Sequence, residues 1–268
     1  MTSDCTFKSM FNGVTLETED MFLLESFQIT YLPGWVPERE LAAVLWANPS
    51  IKRYLLTKYP PIVEFVSDVM QRFGPADSPQ ELQTCIEKLV WTIADLLVYN
   101  KAPEVYDSLD FHKWDFDEIR SITALDGKVV VDGGAGTGRV ALEAAQFAKH
   151  VFAVEPVTRL RQFIREKVDS AGITNLYVMD GFLHQIPLPD ASVDVLITSH
   201  ALGWQLEDEL REFERVVQGN GFIIHCPGTA EIKSEEKQHA RLISSDWQYQ
   251  FSRYEEADGW KRKYWKRL

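Results

Sequence analysis

The chain has 268 residues, of which 45% are apolar, and a formal net charge of −12. That length suits one large domain or two small ones, with apolar residues enough for a real core. The acidic balance repels phosphate backbones and argues against a nucleic-acid partner, and no apolar run approaches the roughly 20 residues of a membrane span. The cysteines, Cys5, Cys85 and Cys226, are far apart and odd in number, which speaks against a disulfide scaffold. The first residues show neither the basic nor the apolar stretch of a secretory signal, so a cytoplasmic protein is expected. The sequence leaves a homo-oligomer open.

Leu16 to Trp35 mixes aromatic and β-branched residues up to Pro33-Gly34, and reads as one or two short strands. Pro37 with Glu38 and Glu40 opens a helix to about Trp46. A second helix runs from Pro49 towards Tyr59, and a third from Ile62 to Phe73. Pro79 to Tyr99 reads as one long amphipathic helix, with Leu82, Ile86, Leu89, Ile93, Leu96 and Leu97 on its apolar stripe. Residues 1–105 are therefore expected to form a mostly helical extension or cap, and residues 106–268 a second domain.

From Phe116 onward helices and strands alternate, which predicts a parallel sheet covered on both faces. Strands are expected near 129–132, 151–155, 175–179, 193–198 and 221–226, with Gly219-Asn220-Gly221 as the turn into the last. Trp247 to Tyr254 and Trp260 to Arg267 alternate around Ala257-Asp258-Gly259, which predicts an antiparallel hairpin. Lys261, Arg262, Lys263, Lys266 and Arg267 on its second strand read as a solvated face. His225 and Cys226 are neighbours on a strand, so they face opposite sides and cannot chelate one metal ion together.

The strongest local signal is Val129-Val130-Val131-Asp132-Gly133-Gly134-Ala135-Gly136-Thr137-Gly138. A β-branched strand breaks into a glycine-rich turn that opens a helix. Glycines let a backbone approach a ligand closely, and the helix start offers free N–H groups. Glu155 ends the next apolar strand, where a carboxylate can take both hydroxyls of a ribose. As an exposed strand-end acid it is expected to contribute little to folding. Gly136 to Ala141 also fits the dinucleotide pattern, so the glycines alone do not choose the ligand. Asp132 does: an acid there repels a pyrophosphate and attracts a cation.

Asp132-x-Gly134-x-Gly136-x-Gly138 resembles the first motif of class I S-adenosylmethionine-dependent methyltransferases. The segments Asn175 to Gly181 and Ile186 to Leu202 are similar to later strands of the small-molecule, ubiquinone-type branch. The resemblance covers roughly Asp110 to Leu268. It implies a doubly wound, seven-stranded, mostly parallel α/β sheet with an antiparallel C-terminal hairpin. It implies S-adenosyl-L-methionine as cofactor and S-adenosyl-L-homocysteine as product. Asp132, Gly134, Gly136 and Thr137 would hold the methionine part, with Gly133 and Gly138 completing the loop. Glu155 would hold the ribose; Asp180 and Gly181 the adenine, with Phe182 beside it. Tyr106, His112 and Trp114 would fold over the cofactor from upstream.

The methyl would point towards Ser199 and His200, with Trp204 as a wall. His200 is the candidate base, since imidazole titrates near neutral pH. The fourth strand ends in Thr198-Ser199-His200-Ala201 and lacks the Asn/Asp-Pro-Pro-aromatic box of enzymes that methylate base amino groups. No acid pair follows it, so no catechol-type metal site is expected. The expected function is methyl transfer to a small or medium-sized molecule. The rival readings are a non-catalytic cofactor sensor or scaffold and a nicotinamide-dependent oxidoreductase.

Overall fold

The structure is a computed structural model that describes residues 3–256 and 259–268. The chain divides into two compact units, Met1–Leu109 and Asp110–Leu268. Among the described residues no helix is long and apolar enough to cross a membrane.

The first unit is helical: α1 (Ser3–Met10), α2 (Ser26–Ile29), α3 (Leu32–Trp35), α4 (Glu38–Ala47), α5 (Pro49–Lys58), α6 (Val63–Arg72), α7 (Pro79–Thr92), α8 (Ala94–Lys101) and α9 (Pro103–Asp107). Leu41 and Leu45 of α4 meet Val66 and Val69 of α6 and Leu89 of α7 in its core. The strands expected between Leu16 and Trp35 are replaced by short helices. Acids and amides cap them: Glu17 N–H donates to Asp20 at 2.7 Å and Glu25 N–H to Gln28 at 2.9 Å. These local caps satisfy helix-start donors and outweigh the β-propensity of the aromatic residues. The single helix expected over 79–99 is two, parted at Ile93 with φ −112° and ψ 26°. Thr92, whose hydroxyl donates back to Lys88 O at 2.7 Å, precedes that break, and such back-bonding weakens a helix locally.

The second unit begins with α10 (Asp117–Arg120) and continues β1 (Val129–Gly133), α11 (Arg139–Ala144), β2 (His150–Val154), α12 (Thr158–Ala171), β3 (Leu176–Met179) and β4 (Val193–Thr198). It ends with α13 (Leu206–Val216), β5 (Val217–Ala230), α14 (Glu236–Leu242), β6 (Gln250–Glu256) and β7 (Gly259–Arg267). The strands form a seven-stranded sheet in the order β3-β2-β1-β4-β5-β7-β6. β7 runs antiparallel to β5 and β6, and the other pairings are parallel. The hairpin turn expected at 257–258 lies outside the described residues.

Strand order reverses beside β1, whose neighbours are β2 and β4. Connections leave that point in opposite directions, opening a crevice at the carboxyl ends of those strands. The expected turn Gly219-Asn220-Gly221 lies inside β5 as a bulge. Pairing with β4 jumps from Val193↔Val217 to Val195↔Phe222, and Asn220 adopts φ +70°. A Cβ on Gly221 would stand 2.5 Å from a Val217 methyl and 2.8 Å from Asp194 O, so the bulge needs glycine there.

The basic cluster of β7 is only in part a solvated face: Arg267 is exposed. Arg262 and Lys263 are buried. Lys263 donates to Glu118 Oε2 at 2.6 Å and Ser121 Oγ at 2.7 Å, and Arg262 to Glu236 at 2.6 Å. Acids distant in sequence neutralise charges that the strand pattern turns inward.

His225 packs with Phe213 and Tyr249 on one face of the sheet, and Cys226 with Tyr254 on the other. Burial pushes the His225 imidazole down to about 3, so it is neutral in the fold. The unfolded chain binds that proton from its ordinary 6.5 downward. Stability is therefore expected to fall as pH drops from 6.5 towards 3, by up to about 1.4 kcal/mol per pH unit from this group. Urea unfolding across that range should show a shallower slope for His225→Gln, and an identical slope would remove His225 from the acid response.

Candidate functional site

The glycine turn of the second unit is held by the strands it joins. Gly134 and Ala135 N–H groups both donate to Val154 O, at 2.9 and 3.0 Å. Gly134, Gly136 and Gly138 have φ of +68°, +55° and +83°, the left-handed region that side chains other than glycine enter at a cost. Gly138 closes the turn and caps α11. A Cβ on Gly133 would stand 2.8 Å from Leu183 Cδ2, which explains a glycine still within β1.

Two carboxylates face this turn. Asp132 is 1% exposed, and its Oδ2 accepts the Ala141 N–H of α11 at 2.9 Å. Burial pushes its carboxyl up to about 7; the Ala141 N–H opposes this and the Glu155 charge adds to it. Glu155 is 5% exposed, which overturns its expected exposure. Its Oε2 accepts Gly136 N–H at 2.8 Å and its Oε1 accepts Val157 N–H at 2.9 Å. The acid is thus part of the scaffold of the turn, because a buried carboxylate requires donors and backbone amides supply them.

Asp180 stands at the end of β3, with its side chain 70% exposed, and accepts from Arg161 at 2.9 Å. Arg161 is a residue that the sequence pattern did not bring forward. From α12 it also donates to the carbonyls of Glu155 and Pro156, at 2.8 and 2.7 Å. It shares the buried stripe of α12 with Ile164 and Val168, and an arginine on an apolar stripe was the available signal. Glu209 is a parallel case on the buried stripe of α13. It accepts from Gly203 N at 2.7 Å and Gln205 N at 2.9 Å, ordering the segment after β4, and burial raises its carboxyl pKa.

Gly181 leaves no room for a side chain: a Cβ would stand 2.7 Å from Pro187 Cδ. Phe182 is half-buried and stacks on His184, with centroids 5.3 Å apart. Ser199 is half-buried and His200 exposed, the latter with φ +55°. The Phe111 ring stands edge-on to His200 at 5.2 Å and lies 4.0 Å from His112. Trp114 is buried, its carbonyl accepting from Arg139, whose guanidinium lies 4.5 Å over the indole. Tyr106 belongs to the first unit, edge-on to Tyr99 at 4.6 Å. So Asp132, Gly133, Gly134, Gly136, Thr137, Gly138 and Glu155 converge at one turn. Asp180, Gly181 and Phe182 join them through Arg161, and Ser199 and His200 stand at the adjoining end of β4.

The buried Thr137 hydroxyl has no hydrogen-bond partner among the described residues. At the start of the same turn stands the buried Asp132, whose raised pKa would fall if a cation arrived. An unsatisfied hydroxyl, an acid in want of a cation and a narrow backbone turn fit the amino-acid end of S-adenosylmethionine.

A sequence family described as a methyltransferase domain matches residues 131–225. By that match, residues 131–225 of the second unit form a methyltransferase domain. Among curated proteins, the domain region is 32% identical over 100 residues to malonyl-[acyl-carrier protein] O-methyltransferase of Yersinia pestis, covering 37% of this chain and 36% of that protein. It is 27% identical over 96 residues to an uncharacterized methyltransferase of Geobacillus sp. (strain WCH70), covering 36% of this chain and 43% of that protein. The matches thus span less than half the length of these relatives. A SAM-dependent methyltransferase structure from Aquifex aeolicus superposes with a TM-score of 0.52 at 17% identity. It covers 63% of this chain and 98% of that one, a likeness in fold.

In this methyltransferase domain Glu155 has a structural duty apart from any ligand. Glu155→Ala removes the acceptor of two backbone donors, and unfolding of the domain should cost about 2–4 kcal/mol less. Chemical denaturation checks this. A variant as stable as the parent would show that the turn holds without its carboxylate.

Proposed function

We propose that the protein transfers a methyl group from S-adenosylmethionine to a small or medium-sized acceptor. The glycine turn, with the buried Asp132 carboxyl at its start and a buried Thr137 hydroxyl that has no partner among the described residues, carries this reading. When bound, the cofactor supplies an electrophilic methyl on a sulfonium that leaves readily. The chain's own part is to bind, align and exclude water. Asp132 would face the α-ammonium, Thr137 and the turn the rest of the methionine part, and Glu155 the ribose hydroxyls. Asp180, steadied by Arg161, would meet the adenine amino group beside Gly181 and Phe182. Ser199 and His200 would line the acceptor side. The name of the Yersinia pestis relative supports an oxygen acceptor.

Asp132 makes the reading testable by pH. An acid whose folded pKa stands above its ordinary 3.8 adds stability at low pH, and that stability is lost as pH rises through about 7. A cation beside it favours the ionised form, so binding expels the proton. Calorimetry should show S-adenosylhomocysteine binding that tightens as pH rises to about 7, with proton release below it. Asp132→Asn should bind more weakly and without that pH response. Binding of NAD with no response to either adenosyl ligand would sink the reading.

A further inference from the structure

The carboxyl end of β5 holds a polar cluster that the cofactor site does not use. Thr229 of β5 and Tyr264 of β7 are buried, with hydroxyls 2.6 Å apart. The Tyr264 hydroxyl also lies 2.9 Å from Nδ1 of His239 on α14. Gly228 makes this possible, since a Cβ there would stand 2.5 Å from the Tyr264 ring. The tyrosine is thereby locked against β5, and its hydroxyl fixes the imidazole. The cluster's charges are spent on each other: Arg262 pairs with Glu236 at 2.6 Å and Arg253 with Glu231 at 2.7 Å. What remains on offer is a neutral imidazole.

Contacts connect this cluster to the glycine turn. A Cβ on Gly134 would stand 2.5 Å from that of Ala201, so turn and β4 segment touch. Leu202, the next residue, accepts from Gln238 of α14 at 3.2 Å, and Gln238 precedes His239. His200 N–H donates to Pro227 O at 3.3 Å, just before Gly228. The segment after β4 and the β6–β7 hairpin also carry uncovered rings, Trp204 at 56%, Phe251 at 39% and Trp260 at 50% exposure. Phe251 stands edge-on to His239 at 4.8 Å.

We propose that His239 takes the proton from a hydroxyl on a largely apolar, phenol-like acceptor, and that Tyr264 and Thr229 are the positioning residues that hold its ring. This rests on the methyl-transfer reading, and it gives the proton to His239 rather than to His200. Nδ1–H donates to Tyr264, Tyr264 O–H donates to Thr229, and Nε2 keeps its lone pair. The acceptor oxygen bonds the methyl carbon while its O–H bond breaks and the proton passes to Nε2. The sulfur–methyl bond breaks with its electron pair left on sulfur, now a neutral thioether. Burial and Arg262 of β7 and Arg253 of β6 disfavour the imidazolium, while Glu236 of α14 and Glu231 after β5 favour it. Burial and the arginines prevail, which lowers the imidazole's pKa and keeps the base unprotonated near neutral pH.

The test uses the full chain labelled at histidine with nitrogen-15. Near neutral pH the His239 signals should show protonated Nδ1 and bare Nε2, and Tyr264→Phe should lose that preference. With S-adenosylmethionine and a panel of para-substituted phenols, His239→Gln should lower kcat by about 100-fold or more. Its calorimetric affinity for S-adenosylhomocysteine should stay within about twofold, and His200→Gln should lower kcat less. A protonated Nε2, an unimpaired His239→Gln, or no phenol methylated by a protein that binds S-adenosylhomocysteine would overturn the proposal. Absence of S-adenosylhomocysteine binding would overturn the methyl-transfer reading itself.

Discussion

Glu155 ends β2 almost out of reach of solvent, with backbone N–H groups from Gly136 and Val157 on its two oxygens. A carboxylate in that position must be satisfied from within, and amides from two loops are what it finds. The consequence is geometric. The glycine turn after β1 and the turn after β2 are pinned to one another before any ligand arrives. Arg161 extends the arrangement to β3 by donating to Glu155 O, Pro156 O and the Asp180 carboxylate. Three strand ends thus become one framework, tied together by charge-assisted bonds.

Asp132 is the counterpart left unresolved by its own surroundings. It has a single amide donor, while burial and the neighbouring Glu155 both act against its ionised form. Strain of this kind gathers at binding sites, where the missing partner is the ligand. The difference between the two acids is a division of labour. One has the donors that shape the turn, and the other keeps an electrostatic demand that a cation would meet. The unpartnered Thr137 hydroxyl lies in the same turn.

The antiparallel side of the sheet works by neutralisation. Arg262, Lys263 and Lys266 of β7 each reach an acid on another element, Glu236, Glu118 and Glu214. His225 of the neighbouring β5 is kept neutral by burial and lies 2.7 Å from Thr198 Oγ1. Among these strands, charge is left open at Asp132 in the crevice beside β1 and closed at Arg262, Lys263 and Lys266 of β7. Beside the paired Arg262, the His239–Tyr264–Thr229 chain stands out as a line of neutral groups arranged for hydrogen bonding.

Much of the second unit was legible in the chain because its signals are local. The period of two in the strands, the left-handed glycines between Asp132 and Arg139 and the acid after Val154 are each encoded within a few residues. The parallel sheet and the terminal hairpin followed from their order. Elsewhere the reading failed where partners are distant. Arg161 and Glu209 look like flaws in amphipathic stripes until their acceptors and donors are in place. Lys263 looks solvated until Glu118, 145 residues away, is brought beside it. The short helices from Thr18 to Trp35 went unread for another reason: side-chain caps competed with β-propensity, and the caps won. The sequence by itself determined the glycine turn, the alternation of strands and helices and the terminal hairpin strands, since backbone sterics and side-chain periodicity act over a few residues. Tertiary structure alone decided which buried charges are satisfied and which are left wanting, because that depends on donors and counter-charges that only folding brings together.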